Sequence, residues 1–386
     1  MPPTEFGHQQ TADRLRYEYW LVMRSIQRAQ VTAGVTGFDR KNMKTGILET
    51  GGLAGSDVRI SRLAAPLDAK TAWQVESLLV RIFERGDYSF RSALSGKYSG
   101  TLKCNVFLAK LKGQVVGAAI CLYANRNPAI GLVGPVGVAH ERRGRGIGKR
   151  LMTSLIDYAA AKGCAALYLG VSGNGAAQKL YSSFGFKRYQ GIVMRRLMRP
   201  EADFDRAYFA KDADVRVRKA VWGDFAGVQA LLSCPCDMYT FDIRRGVFSS
   251  KYVEPTRFLS VFPEMMSTSA RHGGRTNILA AGPGENVVGY AAVCVSPTRV
   301  TRHVAELDFF VHDNFVAHCE RLVRATLAEG AAPNVEMVNC RCLGCDRLKR
   351  NVIEALGGEQ VAVLAGNVKL GDTYEDLLVY QLKGSK

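Results

Sequence analysis

Val136–Leu151 reads VGVAHERRGRGIGKRL, and the fold turns on this stretch. The apolar run AIGLVGPVGV before it has the lettering of a strand. Three glycines, Gly144, Gly146 and Gly148, then stand at every second position. Ile147, Leu151 and Leu155 follow at helical spacing, so the loop opens a helix. Glycines let a backbone approach a ligand closely and adopt turn geometry. Several peptide N–H groups then point one way at a helix N-terminus, which makes an anion site suited to a pyrophosphate. Arg142, Arg143, Arg145, Lys149 and Arg150 crowd the loop with positive charge. A dinucleotide fold would want G-x-G-x-x-G here, and that pattern is absent.

A second segment lies about 30 residues on. Asn174–Phe186 reads NGAAQKLYSSFGF, and it sits between a strand, AALYLGVS, and a closing strand, KRYQGIVMRRL. Upstream, DVRISRLAA reads as a strand and 67–83 as a helix. CNVFLAKL and QVVGAAICLYA read as strands joined at Lys112-Gly113, a hairpin signal. Strands and helices alternate around an antiparallel start, which is a mixed α/β arrangement.

The order strand, R-G-x-G-x-G, helix, strand, N-x-x-A-x-x-L-Y-x-x-x-G-F, strand resembles the GNAT acyltransferase superfamily. The resemblance is specific over 100–198 and weaker over 57–99. It implies an α/β fold, of the α+β mixed-sheet kind, and acetyl-CoA as cosubstrate. The loop Arg143, Gly144, Arg145, Gly146, Ile147, Gly148 and Lys149 would hold the pyrophosphate. Val136, Gly137 and Val138 would hydrogen-bond the pantetheine arm beside a strand bulge. Pro135 suits that bulge, since proline removes a ladder donor. Asn174 would lie along the pantetheine or phosphate arm. Tyr181 matches the family's general acid, which protonates the departing thiolate. The competing reading of Tyr181 is a packed helix tyrosine. His140 reads more readily as a loop contact than as a base, and the arginines of 142–150 as largely a solvated face. The family often places a glutamate on the fourth strand as base. Residues 128–139 hold no acidic residue, and Glu84, Asp87 and Glu141 are close in sequence only. The base stays unassigned.

The chain has 386 residues, enough for two domains. Four regions are expected: an extension over 1–55 with an amphipathic helix near 12–30, a catalytic domain over 56–200, a polar linker over 201–213, and a second domain over 214–386. DVRVRKA echoes DVRISRL, and ENVVGYAAVCV echoes GQVVGAAICLY, so the pattern is a duplication of whole domains, two tandem GNAT-like units. AELDFFVHDN (305–314) is read in the place of the fifth-strand region. After Phe310-Val311 comes HDNFVAHCERL, without glycine, and Ile353 stands where Tyr181 would be. A pyrophosphate cannot approach that backbone, so the second half is expected to be degenerate, shaping the acceptor site or an interface. One active and one degenerate half in tandem is similar to mycothiol synthases in architecture only.

Charge points the same way. The 52 Lys+Arg and 35 Asp+Glu divide into 32 and 17 over residues 1–214, and 20 and 18 over 215–386. The first half therefore carries the positive field that suits a phosphate-rich ligand. No basic stripe with interleaved aromatics and no helix-turn-helix lettering is found, so nucleic acid is not the expected partner. No run approaches the ~18–20 apolar residues of a membrane span, and no membrane partner is expected. The start lacks secretory lettering, and ten cysteines are too sparse for a disulfide scaffold, so a reducing cytosol is the expected compartment. Self-association as a homodimer stays open.

The cysteines of the second half raise one further reading. Cys234 and Cys236 form C-P-C, and Cys340, Cys342 and Cys345 form C-x-C-x-x-C. Four thiolates gathered at one end of the sheet would suit zinc. The favoured reading is that they are small buried residues, with no metal. The expected activity is transfer of the acetyl group of acetyl-CoA to a primary amine of a small molecule. A protein lysine or N-terminal acetyltransferase and a non-catalytic acyl-CoA-binding regulator are the alternatives.

Overall fold

Strands β1 (Val58–Ala64), β2 (Leu102–Leu111) and β3 (Gln114–Ala124) build the antiparallel start of the first sheet. The β2–β3 hairpin turns at Lys112-Gly113, both with positive φ (49° and 82°), the twist that two-residue hairpins favour. In the computed structural model the described residues are 57–83, 90–171, 175–211, 213–242, 247–249, 259, 261–296, 299–330 and 335–383. All of them lie in one compact unit. The expected helix near 12–30, Asn174, Glu84 and Asp87 fall outside the described residues.

β4 (Ile130–Val138) and β5 (Ala166–Gly170) follow, then β6 (Lys187–Gln190) and β7 (Val193–Leu197). The sheet order is β1-β2-β3-β4-β5-β7-β6, with β4–β5 the parallel pair. KRYQGIVMRRL, expected as one strand, is two: the chain turns at Gly191 (φ 50°) and pairs β6 with β7. Helix α1 (Ala69–Phe83) starts where Asp68 Oδ1 accepts the Thr71 N–H at 2.9 Å, a bond that also holds the Asp68 carboxyl below its ordinary range. α2 is a single turn, Arg91–Leu94. α3 (Ile147–Ala161) lies on one face of the sheet, its Leu151 and Leu155 packed with Phe107, Ala119 and Cys121. α4 (Ala176–Ser183) carries the second motif. Alternate residues Val106, Leu108, Ala118 and Ile120 face the other side.

The stretch expected as a polar linker is a structured strut. α5 (Glu201–Tyr208) sinks Phe204 and Tyr208 into the core. Arg195 of β7 is held by Glu201 and by Asp205, at 2.9 Å. Tyr208 Oη accepts the Val287 N–H at 3.2 Å, and its carbonyl accepts Asn286 Nδ2 at 2.9 Å.

The second half contributes β8 (Val215–Lys219), α6 (Phe225–Leu232), β9 (Thr240–Asp242), β10 (Val247–Ser249), α7 (Val261–His272), β11 (Gly274–Ala281), β12 (Asn286–Val295) and β13 (Val304–Val311). α8 (Cys319–Gly330), β14 (Met337–Leu343), α9 (Arg347–Ala355), β15 (Glu359–Leu370) and β16 (Thr373–Lys383) complete it. Read from β8, its large sheet runs β8-β11-β12-β13-β14-β16-β15, the order and pairing sense of the first. Gly117 and Gly185 stand 68 residues apart, as do Gly289 and Gly357. The duplication is therefore present in space. AELDFFVHDN is corrected by this order: β13 pairs with β12 as β4 pairs with β3, so it is the fourth strand and not the fifth.

All eight residues of α6 are buried. A helix apolar all round has no solvent face to offer. α6 packs on β12 of its own sheet and on β3 and β4 of the other, so the two domains share one core. Polar contacts ring that core: Asn127 Nδ2 reaches the Gly284 carbonyl and Asn286 Oδ1, both at 2.8 Å, and Gly223 N–H reaches Thr101 Oγ1 at 3.2 Å. Tyr98 stacks on Trp222 with ring centroids 3.8 Å apart. No helix among the described residues is long and apolar enough to cross a membrane.

Candidate active site

Gly134-Pro135 is where β4 stops being a regular strand. Ala119 faces Val136 and Cys121 faces Val133, so two residues of β4 stand opposite Ile120 alone. This is a bulge on β4 at the expected proline. β4 pairs with β5 only over Ile130–Leu132 and Ala166–Tyr168. Beyond that point β4 stays with β3 as far as Val138, whereas β5 stays with β7 as far as Gly170. The two parallel strands diverge, and among the described residues the β4 backbone from 133 to 138 has no strand partner on its β5 side.

Gly137 is placed by packing. A Cβ there would meet Ile82 Cδ1 at 2.7 Å, so the glycine lets α1 cross β4 closely. Past Val138 the chain makes a short turn over His140–Arg142 and enters the glycine loop. Gly144 (φ 76°) and Gly146 (φ 74°) adopt left-handed backbone, and a Cβ at either would meet nothing within 4 Å. The loop therefore borders open space rather than protein. Gly146 precedes α3, whose first-turn N–H groups have no carbonyl four residues back to bind. Together they form a backbone cradle with positive potential.

The side chains divide by role. Ile147 is buried in the α3 core, so only its backbone faces the loop. Arg145 and Lys149 are exposed beside the cradle. Arg143 folds back: Nε donates to the Val138 carbonyl at 3.2 Å and Nη2 lies 3.4 Å from His140 Nε2. It braces the loop against the end of β4. At Gly148 a Cβ would touch Leu180 of α4 at 3.4 Å and Val138 at 3.9 Å. Strand β4, the first turn of α3 and helix α4 thus converge at one place, although 137 and 180 are far apart in the chain.

Tyr181 sits on α4 with 8% of its surface exposed and its ring edge-on to Phe186. Burial pushes its hydroxyl up to about 12. It is a neutral O–H donor across the whole physiological range. Glu141 is exposed on the turn before the loop, and β4 carries no carboxylate. The structure thus adds no residue to the unassigned role of base.

The second half fills the same place. β13 pairs with β12 in unbroken register from Ala305 to Val311, with no bulge. It pairs with β14 over four residues, and Phe309, Phe310 and Val311 are fully buried. In the space beside them lies Lys349 of α9, also fully buried. Its Nζ bonds Asp308 Oδ1 and the Tyr239 carbonyl, the latter at 2.7 Å, and sits 5.0 Å over the Phe309 ring. Tyr290 Oη donates to the other oxygen of Asp308 at 2.7 Å. Burial alone would lower the Lys349 ammonium, but Asp308 and Asp346 outweigh it and hold it well above its ordinary value. Counting back from Ile353 and Tyr181, Lys349 replaces Ala177 and Asp346 replaces Asn174. No gap is left there for a thioester arm.

The competing four-thiolate grouping does not form among the described residues. Cys340 and Cys342 are buried in the β14 core and Cys345 is exposed. Cys234 and Cys236 meet His312 instead, a residue the sequence reading did not single out.

Comparison with known proteins points one way. The sequence model of the acetyltransferase (GNAT) family matches residues 73–186, from α1 through the second motif. A mycothiol acetyltransferase of Kocuria rhizophila is 41% identical over 71 residues, covering 18% of this chain and 23% of that protein. One of Renibacterium salmoninarum is 43% identical over 67 residues, covering 17% and 20%. The matches span less than a quarter of the length of these curated relatives. Among solved structures, an N-acetyltransferase from Staphylococcus aureus Mu50 aligns with 13% identity and a TM-score of 0.37, covering 45% of this chain and all of that one. A ribosomal-protein-alanine N-acetyltransferase from Brucella melitensis aligns with 18% identity and a TM-score of 0.35, covering 44% and 99%.

Proposed function

We propose, from a first domain that belongs to the acetyltransferase (GNAT) family, that this chain transfers the acetyl group of acetyl-CoA to a primary amine of a small molecule. The observation that carries the reading is the divergence of β4 from β5 at the Gly134-Pro135 bulge, facing a glycine cradle bordered by open space. That pair of features fits a long ligand with a diphosphate at one end and an extended, amide-bearing arm.

Each part has a task. The N–H groups of Gly144 to Lys149 hold the diphosphate, and Arg145 and Lys149 add charge-assisted bonds. Val136–Val138 offers its unpaired backbone to the pantetheine amides, as an added strand would. An N–H of the same stretch stabilises the oxyanion when the amine attacks the thioester carbon. The C–N bond forms, the C–S bond breaks, and Tyr181 donates its proton to the departing sulfur. The proton lost by the amine leaves through water, because β4 offers no carboxylate. Alkylammonium groups lose a proton near pH ~10, so activity should rise with pH through the neutral range.

The second domain closes the site from the α6 side and holds no second acetyl-CoA. The likeness to two mycothiol acetyltransferases, short as it is, favours a small amine acceptor over a peptide. Calorimetry with acetyl-CoA on the full chain, wild type beside Gly146→Trp, tests the cradle. The expectation is one site per chain and a loss of at least ~100-fold in affinity with unchanged Tm, the size of a charge-assisted diphosphate contact. Release of free CoA against polyamines, amino sugars, amino acids and peptides then identifies the acceptor class. Wild-type protein that does not bind acetyl-CoA would overturn the reading.

A further inference from the structure

Cys234 and Cys236 follow the C-terminus of α6, and His312 follows the end of β13. They are 78 and 76 residues apart in the chain, yet their sulfur and ring-nitrogen atoms all lie within 4.8 Å of one another. Both cysteines are buried, with 2% and 1% of their surface exposed. His312 is half-buried and stacked flat on Phe209, ring centroids 4.1 Å apart, which fixes its plane. From these residues we infer that the junction between the two domains holds one soft divalent metal ion, zinc by its donor set, on Cys234, Cys236 and His312.

The arrangement is of the right scale. A tetrahedral zinc site takes thiolate at ~2.3 Å and imidazole at ~2.0–2.1 Å, so the donors need to draw in by only about 1 Å. The chemistry is also right, because two thiolates and an imidazole select zinc over magnesium or calcium. Two thiolates balance the charge of the ion. The C-terminal carbonyl end of α6 favours a cation beside Cys234.

The surroundings of Cys234 are polar. The Tyr168 hydroxyl is fully buried beside the Arg195 guanidinium. It lies near Cys234, Arg195 and Asp205. Tyr189 Oη lies 4.0 Å from Cys234 Sγ, and Arg195 stacks on the Tyr189 ring at 3.8 Å. A hydroxyl turned toward a sulfur is the outer contact that a metal thiolate takes. The fourth position falls to water, since the Asp205 carboxylate is held by Arg195. His312 Nδ1 now accepts the Asn314 N–H at 3.2 Å, a long bond that metal binding would displace.

The ion would tie the loop after α6 to the end of β13. It acts on the junction rather than on the acetyl transfer. This inference stands apart from the proposed acetyl transfer, and its readout needs no substrate.

The test is metal content of the full chain purified without chelator, followed by cobalt(II) exchange. The expected result is about one zinc per chain, and a cobalt form with thiolate-to-metal charge-transfer bands. Cys236→Ser and His312→Ala should each lower the metal content at least ~10-fold, and Cys340→Ser should leave it unchanged. Should the first two variants unfold, the wild-type spectrum decides by itself. A cobalt spectrum without sulfur bands, wild-type protein that retains and takes up no metal, or a Cys234–Cys236 disulfide in freshly purified protein would each overturn the inference.

Discussion

Strands β4 and β13 occupy the same place in two sheets of the same order and both part early from the next parallel strand, but only beside β13 do a buried lysine and phenylalanines stand in that place. The cause is local. β4 has Gly134-Pro135 opposite one residue of β3, whereas β13 has one residue opposite each of β12. Gly137 lets α1 cross closely, and Phe310 in the matching place fills the interior. Ala177 leaves room on α4, and Lys349 on α9 reaches in to meet Asp308. One topology therefore serves as a receptacle in the first half and as a packed body in the second. A fold offers a place for a site, and a few side chains decide whether it stays open.

Tyr181→Phe tests the open half most directly. The ring packing is kept and the proton donor is lost. The expected result is a fall in kcat of ~10²–10⁴ with KM for acetyl-CoA unchanged, read in a CoA-release assay. An unaltered kcat would erase the distinction between Tyr181 and Ile353. In the filled half, Lys349→Met leaves Asp308 and the Tyr239 carbonyl buried without their cation. Urea unfolding should show a loss of about 3–5 kcal/mol, while acetyl-CoA affinity stays within ~2-fold. A variant that loses acetyl-CoA instead would mean that the second half is not the closed body described above.

Alkaline titration gives a smaller and more specific contrast. Burial raises the Tyr181 hydroxyl to about 12, against about 10 when unfolded. Between these values the folded chain keeps a proton that the unfolded chain has lost. The stability owed to this group is whole below pH ~10 and disappears as the pH climbs through ~12. Over that window wild-type protein should lose up to ~2 kcal/mol that Tyr181→Phe retains, measured as the difference between their urea midpoints. Smallest is Gly227→Ala on α6, where a Cβ would press on Val287 Cγ2 at 2.6 Å. About 1 kcal/mol should be lost. Calorimetry should still show a single transition for both halves. Two separate transitions would contradict the shared core.

Much of this was legible in the letters, for physical reasons. R-G-x-G-x-G and the Tyr181 segment are local patterns, and their chemistry depends on neighbours in sequence. Pro135 announced the bulge because proline cannot donate to a ladder. The missing glycines at 312–319 led to the expectation of a loop that a pyrophosphate cannot approach. What escaped depends on long-range packing. Gly191 looked like part of one strand until β6 and β7 were seen to pair. The charged letters of 201–213 hid Phe204 and Tyr208, two apolar anchors at helical spacing. Lys349 stands in the charged run RLKRN, and only Asp308, 41 residues away, explains its burial. Cys234 and Cys236 were noticed, but their neighbour was sought among other cysteines. Nothing near His312 in the sequence points back across the intervening residues to them.

Helix α6 has a consequence for the way the chain is made. Synthesis proceeds at roughly 5–20 residues per second, so about 2–6 s pass between the emergence of residue 200 and that of residue 232. During that interval the first sheet is complete but the face around Val106, Leu108, Ala118 and Ile120 lacks the helix that covers part of it. The nascent first domain is thus sticky by construction, and a message truncated near codon 200 would yield a product that clumps. The reading frame carries the lid of the first domain inside the second, so selection cannot shed the second half without uncovering a face of the first.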